Sequence, residues 1–319
     1  MNIKKTGRIL SGLRLEDYIA AGYVLTVGLI YFAAYIRSER VNRGMAMTFY
    51  YFLLPFVLIL FKEAFSYFFS EKPSTAKFVA VLRDWFPFLI ILSMYYGFYD
   101  GLNHFIVASD RDALLAAWDE RLFGCRPSVW LERFIAVPFL VEWLSFAYLS
   151  FIVIPPVVAL YYYVKGNSLA FRMLMLCFVI TESIGCMGYL LLPAVGPRFA
   201  FPHWYTLALG GGAVADLTDG FINLARLPRD CFPSLHTGLT ALCLFSAWRY
   251  GKPIFLVMFP LITSLWVACV FLRYHYLIDV IAGIILAGFV HMAAVAKLER
   301  YCGADTADCV CGKKPAELS

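Results

Sequence analysis

Cys231-Phe-Pro-Ser-Leu-His-Thr237 is answered about forty residues later by Arg273-Tyr-His-Tyr-Leu-Ile-Asp-Val280. Apolar runs over 235–250, 254–272 and 277–297 surround them. About 20 apolar residues cross a bilayer as a helix, so these runs read as spans, and the two polar stretches fall at span ends. Working outward gives further runs at 17–36, 46–69, 84–106, 134–164 and 168–193, about eight transmembrane helices in all. The expected fold is all-α and polytopic.

Composition supports this. The 319 residues are 61% hydrophobic and only 15% charged, against roughly 25% charged in soluble domains. So few charges cannot cover a water-facing surface. The net charge of +5 is spread too thinly among apolar runs to point to nucleic acid. Lys4, Lys5, Arg8 and Arg14 precede the first run, but no small-residue cleavage site follows, so 17–36 reads as a membrane helix and not a removable signal. The nine cysteines are scattered and form no disulfide scaffold. Cys125 and Cys231 fall on one side and could pair, whereas Cys302, Cys309 and Cys311 sit in a tail with no common zinc spacing.

An even number of spans puts both ends of the chain on one side. More than half of the 27 Lys and Arg then lie there, which favours cytoplasmic termini; Arg37, Arg40 and Arg43 stand against it. On the opposite side, span five ends at Gly196-Pro-Arg198, span six begins at Ser234 and His236, span seven ends at Arg273, and span eight leaves from His275 and Asp279. Separate segments thus place two histidines, two arginines and a carboxylate on one membrane face.

Those residue types suit phosphoryl chemistry. His275 and Asp279 are four apart and are expected on one helix face. A carboxylate there can hold one ring nitrogen protonated and leave the other free to attack phosphorus. Pro233-Ser234 can start a helix with Ser234 as its cap, and helix-start amides bind phosphate oxygens. His236 can protonate a leaving oxygen. Arg198 and Arg273 offer planar forks for phosphate. The bland readings are interfacial histidines, lipid-anchoring arginines and a structural His–Asp hydrogen bond.

The motifs Pro233-Ser-Leu-His236 and His275-Tyr-Leu-Ile-Asp279 resemble signature motifs of the type-2 phosphatidic acid phosphatase superfamily. Pro193-Ala-Val-Gly-Pro-Arg198 and the RYHYLID run resemble elements of the branch holding inositol phosphorylceramide and sphingomyelin synthases. The resemblance covers roughly 84–297 and implies a six-helix core, with 1–83 a two-helix addition and 298–319 a cytoplasmic tail. It implies His275 as a nucleophile forming a phosphohistidine, Asp279 as its orienting partner, His236 as general acid, Arg198 and Ser234 as phosphate ligands, and no metal or other cofactor. Three departures stand out. Leu235 replaces a glycine, which tightens the pocket. Cys269 stands where an arginine precedes the histidine, with Arg273 the expected substitute. Leu191 and Leu192 stand where a lysine precedes the first arginine. These favour the lipid-transferase branch.

Asp100, Glu142 and Glu182 fall in expected spans, where carboxylates are functional candidates. Asp100 and Glu142 lie near the active face and are expected to touch substrate; Glu182 is deeper, and His104 reads as interfacial. Two long connections lie on that face. In 107–133, Leu114, Leu115 and Trp118 predict a short helix lying in the interface, and Asp110, Asp112 and Asp119 read as its solvated acidic side. In 194–234, aromatic residues predict a lid near lipid. The function expected is a metal-independent phosphatase or phosphotransferase acting on a lipid phosphate or phospholipid from the extracytoplasmic face, in a bacterial inner membrane. The alternative is a non-catalytic lipid-binding protein or transporter that keeps a phosphate pocket.

Overall fold

A computed structural model describes residues 14–37, isolated positions between 57 and 64, residues 73–97 and residues 106–301. The described residues are helical with no strand. In chain order the main helices are α1 (Leu15–Arg37), α2 (Pro73–Gly97), α3 (Asp112–Phe123), α4 (Pro138–Leu149), α5 (Ile154–Val164), α6 (Ser168–Leu191), α7 (Ala213–Ala225), α8 (Leu235–Tyr250), α9 (Lys252–Phe271) and α10 (Leu277–Tyr301).

Four of these are long and apolar enough to cross a bilayer, namely α1, α6, α9 and α10, and the pair α4–α5 makes a fifth if counted as one broken span. The expected eight are thus not all recovered. The run 46–69 falls largely outside the described residues. Helix α8 has 16 residues, and α2 carries Lys77, Arg83 and Asp84. The run 134–164 is two helices bent by 55°. The cause is local: Pro155 and Pro156 follow Ile154 and suit only the first turn of a helix. Large side chains such as Phe139, Leu256 and Phe289 face outward, as lipid contact requires.

Helix α6 is the central post, buried along most of its length. Helix α8 packs most closely on α10. Glycine makes that approach possible: a Cβ at Gly283 would lie 2.3 Å from the Ser234 carbonyl oxygen and 2.4 Å from Thr237 Oγ1. Helices α1 and α2 pack on α6. Ala20, Tyr23, Val24 and Val27 of α1, with Phe86 and Ile90 of α2, share one buried cluster with Val179, Cys186 and Leu190 of α6 and with Leu235.

Candidate active site

Backbone hydrogen bonds tie together the three segments that the sequence placed on one face. The Arg198 amide donates to the Arg273 carbonyl (2.8 Å), Cys231 to Ala194 (3.2 Å), and Ser234 to Asp279 (3.1 Å). Gly196 has φ +90°, and a Cβ there would lie 2.2 Å from the Tyr274 carbonyl oxygen, so only glycine fits this crossing. Ser234 caps α8, its Oγ accepting from the Thr237 amide at 3.4 Å, as expected from Pro-Ser before a helix.

The two histidines meet. His275 Nε2 lies 3.2 Å from His236 Nδ1. His275 Nδ1 lies 3.1 Å from the Cys231 carbonyl oxygen. A carbonyl can only accept, so Nδ1 of His275 carries a proton and Nε2 presents its lone pair. His236 is held by rings: Tyr148 stacks on it at 4.9 Å and Phe151 tilts against it at 4.5 Å.

Asp279 is close, but not by the expected geometry. Helix α10 begins at Leu277, so His275 precedes the helix and the two do not stack on a helix face. Asp279 Oδ2 is 3.6 Å from His275 Nδ1, and it accepts the Tyr276 amide and the Cys231 thiol, both at 2.9 Å. The histidine is thus oriented jointly by a backbone carbonyl and a fully buried carboxylate.

Cys231 Sγ, His275 Nδ1 and Asp279 Oδ2 are also near enough to one another to resemble a metal ligand set. Zinc-ligand distances of about 2.0–2.3 Å would hold ligand atoms further apart than the 2.9 Å between Cys231 Sγ and Asp279 Oδ2. That spacing fits a hydrogen bond. Cys231 and Cys125 are both free thiols, so the pairing considered for them does not form.

Arg198 is occupied. Its guanidinium donates to both Asp219 oxygens (2.9 and 2.6 Å) and to the Tyr274 hydroxyl (2.9 Å), which itself donates to Asp219 (2.8 Å). Burial alone would raise the Asp219 carboxyl; the bonds from Arg198 and Tyr274 outweigh it and hold the group below its ordinary range. Tyr274 also stacks on Tyr148, so Arg198 is two stacked rings away from His236. Arg273 takes a left-handed φ of 67°. Among the described residues its guanidinium bonds to the Leu207 carbonyl (2.8 Å) and Glu132 (3.3 Å) and lies over the Tyr205 ring, not beside either histidine.

Glu142, expected at substrate, accepts the amides of Gly212 (2.5 Å), Val214 (3.1 Å) and Ala215 (3.1 Å) and so caps α7. Glu182 is buried within α6, near the Cys186 thiol. Asp100 and His104 lie outside the described residues, as do Cys302, Cys309 and Cys311. Leu235 packs into a notch left by Gly185, where a Cβ would come 2.5 Å from Leu235 Cδ2.

Helix α3 forms where a short helix was expected, but Asp112 and Asp119 are not a solvated side. Leu115 is fully buried, and Asp112 and Asp119 are each 3% exposed. Asp112 accepts the Val195 and Gly196 amides and the Tyr276 hydroxyl (3.0, 2.9 and 2.9 Å). Asp119 accepts the Leu277 and Ile278 amides (2.9 and 2.8 Å) and so caps α10. Asp110 pairs with Arg229. One helix clamps both loops that carry the site. The signal was present: Asp112, Leu115 and Asp119 recur at i, i+3 and i+7, one helical face. Leu114, Leu122 and Phe123 of α3 are exposed, as are Leu217 and Leu224 of α7.

A family model described as the PAP2 superfamily matches residues 113–293, more than half of the chain. The chain belongs to the PAP2 superfamily. The match spans α3 to α10 and leaves α1 and α2 outside it. No curated protein and no solved structure matches. PAP2 membership, together with several helices fit to cross a bilayer, accords with a membrane lipid phosphatase.

Proposed function

We propose that this PAP2 protein is a lipid-phosphate phosphatase or lipid phosphotransferase that works through a phosphohistidine on His275. The observation that carries the reading is the pairing of the two rings. His275 is protonated at Nδ1 by its bond to the Cys231 carbonyl, and its free Nε2 faces His236 Nδ1 at 3.2 Å. A phosphoryl group bound between the rings would part them. His275 Nε2 attacks phosphorus, the bond to the leaving oxygen breaks, and His236, entering as imidazolium, gives its proton to that oxygen. The substrate's negative charge favours that imidazolium.

In the second step water or an acceptor alcohol gives its proton to His236 and attacks phosphorus. The N–P bond breaks, releasing phosphate or a new phosphodiester. Asp279 and the Cys231 carbonyl stabilise the charge gained by His275. The first-turn amides of α8 and the fork of Arg198 are the proposed phosphate ligands. The proposed mechanism uses no metal, a reading supported by the 2.9 Å hydrogen bond between Cys231 Sγ and Asp279 Oδ2. The site is placed on the extracytoplasmic side on the charge asymmetry of the loops, and the branch-like GPR and RYHYLID elements favour the transferase outcome.

The test is lipid turnover by purified protein on phosphatidic acid, isoprenyl pyrophosphate and mixed phospholipids with ceramide, in the presence of a chelator. Free phosphate that is lost in His275→Ala marks a phosphatase; a new phosphodiester lipid without free phosphate marks a transferase. His236→Ala should lower the rate by roughly 10²–10⁴. Equal product from wild type and a folded His275→Ala variant would defeat the proposal, and rescue of a chelator-blocked enzyme by a divalent ion would defeat its metal-free form.

A further inference from the structure

A cavity of about 230 Å³ opens at the end of the bundle away from the histidines, lined by Arg14, Arg83, Asp84, Tyr163, Ser168 and Arg172 among others. Helix α6 fixes the separation. Its first residues, Ser168 to Arg172, line the cavity, while the site loops follow its last residue, Leu191. Twenty-four residues at about 1.5 Å each put roughly 36 Å between them.

Three guanidinium groups converge on this space. Arg14 is bonded to Asp84 at 2.5 Å and lies 4.0 Å from Glu16. Arg83 is 3.8 Å from Asp84, and the Tyr163 hydroxyl reaches the same carboxylate at 3.5 Å. Arg172 makes no direct ion pair with these carboxylates, although Glu16 and Asp84 act on it at longer range, and its Nε is buried with no hydrogen-bond partner among the described residues. Among the described residues Asp84 is the one lining carboxylate, so their walls carry two positive charges in excess, and Glu16 behind them offsets part of that. A buried guanidinium donor without an acceptor is costly, and an anion would satisfy it. The start of α6 adds a favourable dipole, although the Ala170 amide is already capped by Asn167 Oδ1 and the Ser168 amide bonds to the Gly166 carbonyl. The space is several times the ~30 Å³ that a water occupies in the liquid, enough for a tetrahedral oxyanion.

We propose that this cavity binds a phosphate group at the membrane face opposite the candidate active site. Its depth fits a headgroup: Trp85 packs against Tyr163 and Phe171 of the cavity wall, at the end of an apolar helix where aromatic rings gather in membrane proteins. Arg14, Arg83 and Asp84 come from outside the span matched by the family, whereas Tyr163, Ser168 and Arg172 lie inside it. The cavity is therefore created by the docking of α1 and α2 on the family-matched helices, and an occupant would fasten the two together.

The phosphate could belong to an anionic phospholipid or be dissolved, and two arms separate these sources. The full-length protein is placed in phosphatidylcholine nanodiscs and its Tm is read while inorganic phosphate is titrated, or while phosphatidylglycerol replaces part of the phosphatidylcholine. A ligand that binds only the folded state raises Tm with its occupancy. The expected result is a saturable rise in at least one arm, with the effective concentration moved roughly ten- to a hundredfold by Arg172→Gln and kept in Arg198→Gln. A rise with phosphatidylglycerol alone assigns a lipid headgroup; a rise with inorganic phosphate assigns the dissolved ion. Arg83→Gln, at a half-exposed side chain, guards against misfolding and should weaken the response in the same direction. No rise in either arm overturns the proposal, as does a rise that survives Arg172→Gln and Arg83→Gln but disappears in Arg198→Gln. Turnover is not read, so failure here leaves the catalytic proposal standing.

Discussion

The guanidinium of Arg198 already holds an anion of the protein's own. Asp219 offers it the same two-oxygen grip that a phosphate would. If Arg198 is a phosphate ligand, substrate must share or displace Asp219, and α7 moves with it. The pair is partly open to water, Asp219 being 39% exposed and Arg198 24%, so holding it together is worth about 0.2–1 kcal/mol. Asp219→Asn keeps the size of the side chain but leaves one acceptor oxygen and no charge. The expected outcome is a fall in KM of about two- to fivefold with kcat nearly unchanged, and a smaller dependence of KM on salt. A rise in KM would mean instead that Asp219 serves to hold Arg198 in place. The local motifs were the most legible part of this site. The rings of His236 and His275 meet, and backbone bonds tie the segments of Arg198 and Ser234 to those of Arg273 and Asp279, in line with their positions at span ends. Asp219 was not legible, because its partners Arg198 and Tyr274 are 21 and 55 residues away and no periodicity links them.

Helix α3 shows what carboxylates do when their acceptor work is long-range. Asp119 reaches the first turn of α10 across 158 residues of sequence, and Asp112 reaches Val195 and Gly196 across more than 80. Both are buried with their amides, and burial raises both carboxyls despite the bonds that lower them; Asp119 is pushed up to about 6 from 3.8. The folded protein therefore keeps the Asp119 proton in a range where the unfolded chain has released it. Between about pH 4 and pH 6 the native state binds more protons, so this group alone makes stability fall as pH rises through that window. Asp119→Asn removes the titration and keeps one acceptor for two amides. Thermal unfolding measured from pH 4 to pH 7 should show a wild-type Tm that loses ground towards pH 6 relative to the variant. Parallel curves would show that Asp119 does not titrate in this range. The same helix explains why its sequence misled: acidic residues near a membrane surface ordinarily face water, and only the coincidence of Asp112, Leu115 and Asp119 on one face marks burial. The split of the fourth span was legible in Pro155-Pro156, where apolar length alone had concealed it.

Taken across the whole bundle, Leu235, which stands where the resembled motif has glycine, packs with α1 and α2 in one buried cluster. Leu235 is 5% exposed, fits against Gly185, and shares its cluster with Tyr23, Val24 and Val27 of α1. A glycine at 235 would leave the face of α6 near Gly185 without a partner. In a bilayer, lipid tails are as apolar as leucine, so the association of α1 and α2 with α6 rests on close packing and not on escape from water. A void under them is then costly chiefly through lost contacts. Leu235→Gly restores the residue of the family motif, yet by this reasoning it should destabilise by about 2–5 kcal/mol, as buried leucine truncations do, and it should loosen α1 first. Two readings separate here. If Leu235 mainly crowds the site, Leu235→Gly should keep its Tm and gain turnover on bulkier headgroups. If it anchors α1 and α2, Tm should fall, turnover should not rise, and limited proteolysis should release the segment before Pro73 sooner than in wild type. Leu235 fills the notch at Gly185 and packs in the cluster that holds α1 and α2, so the second outcome is the one expected.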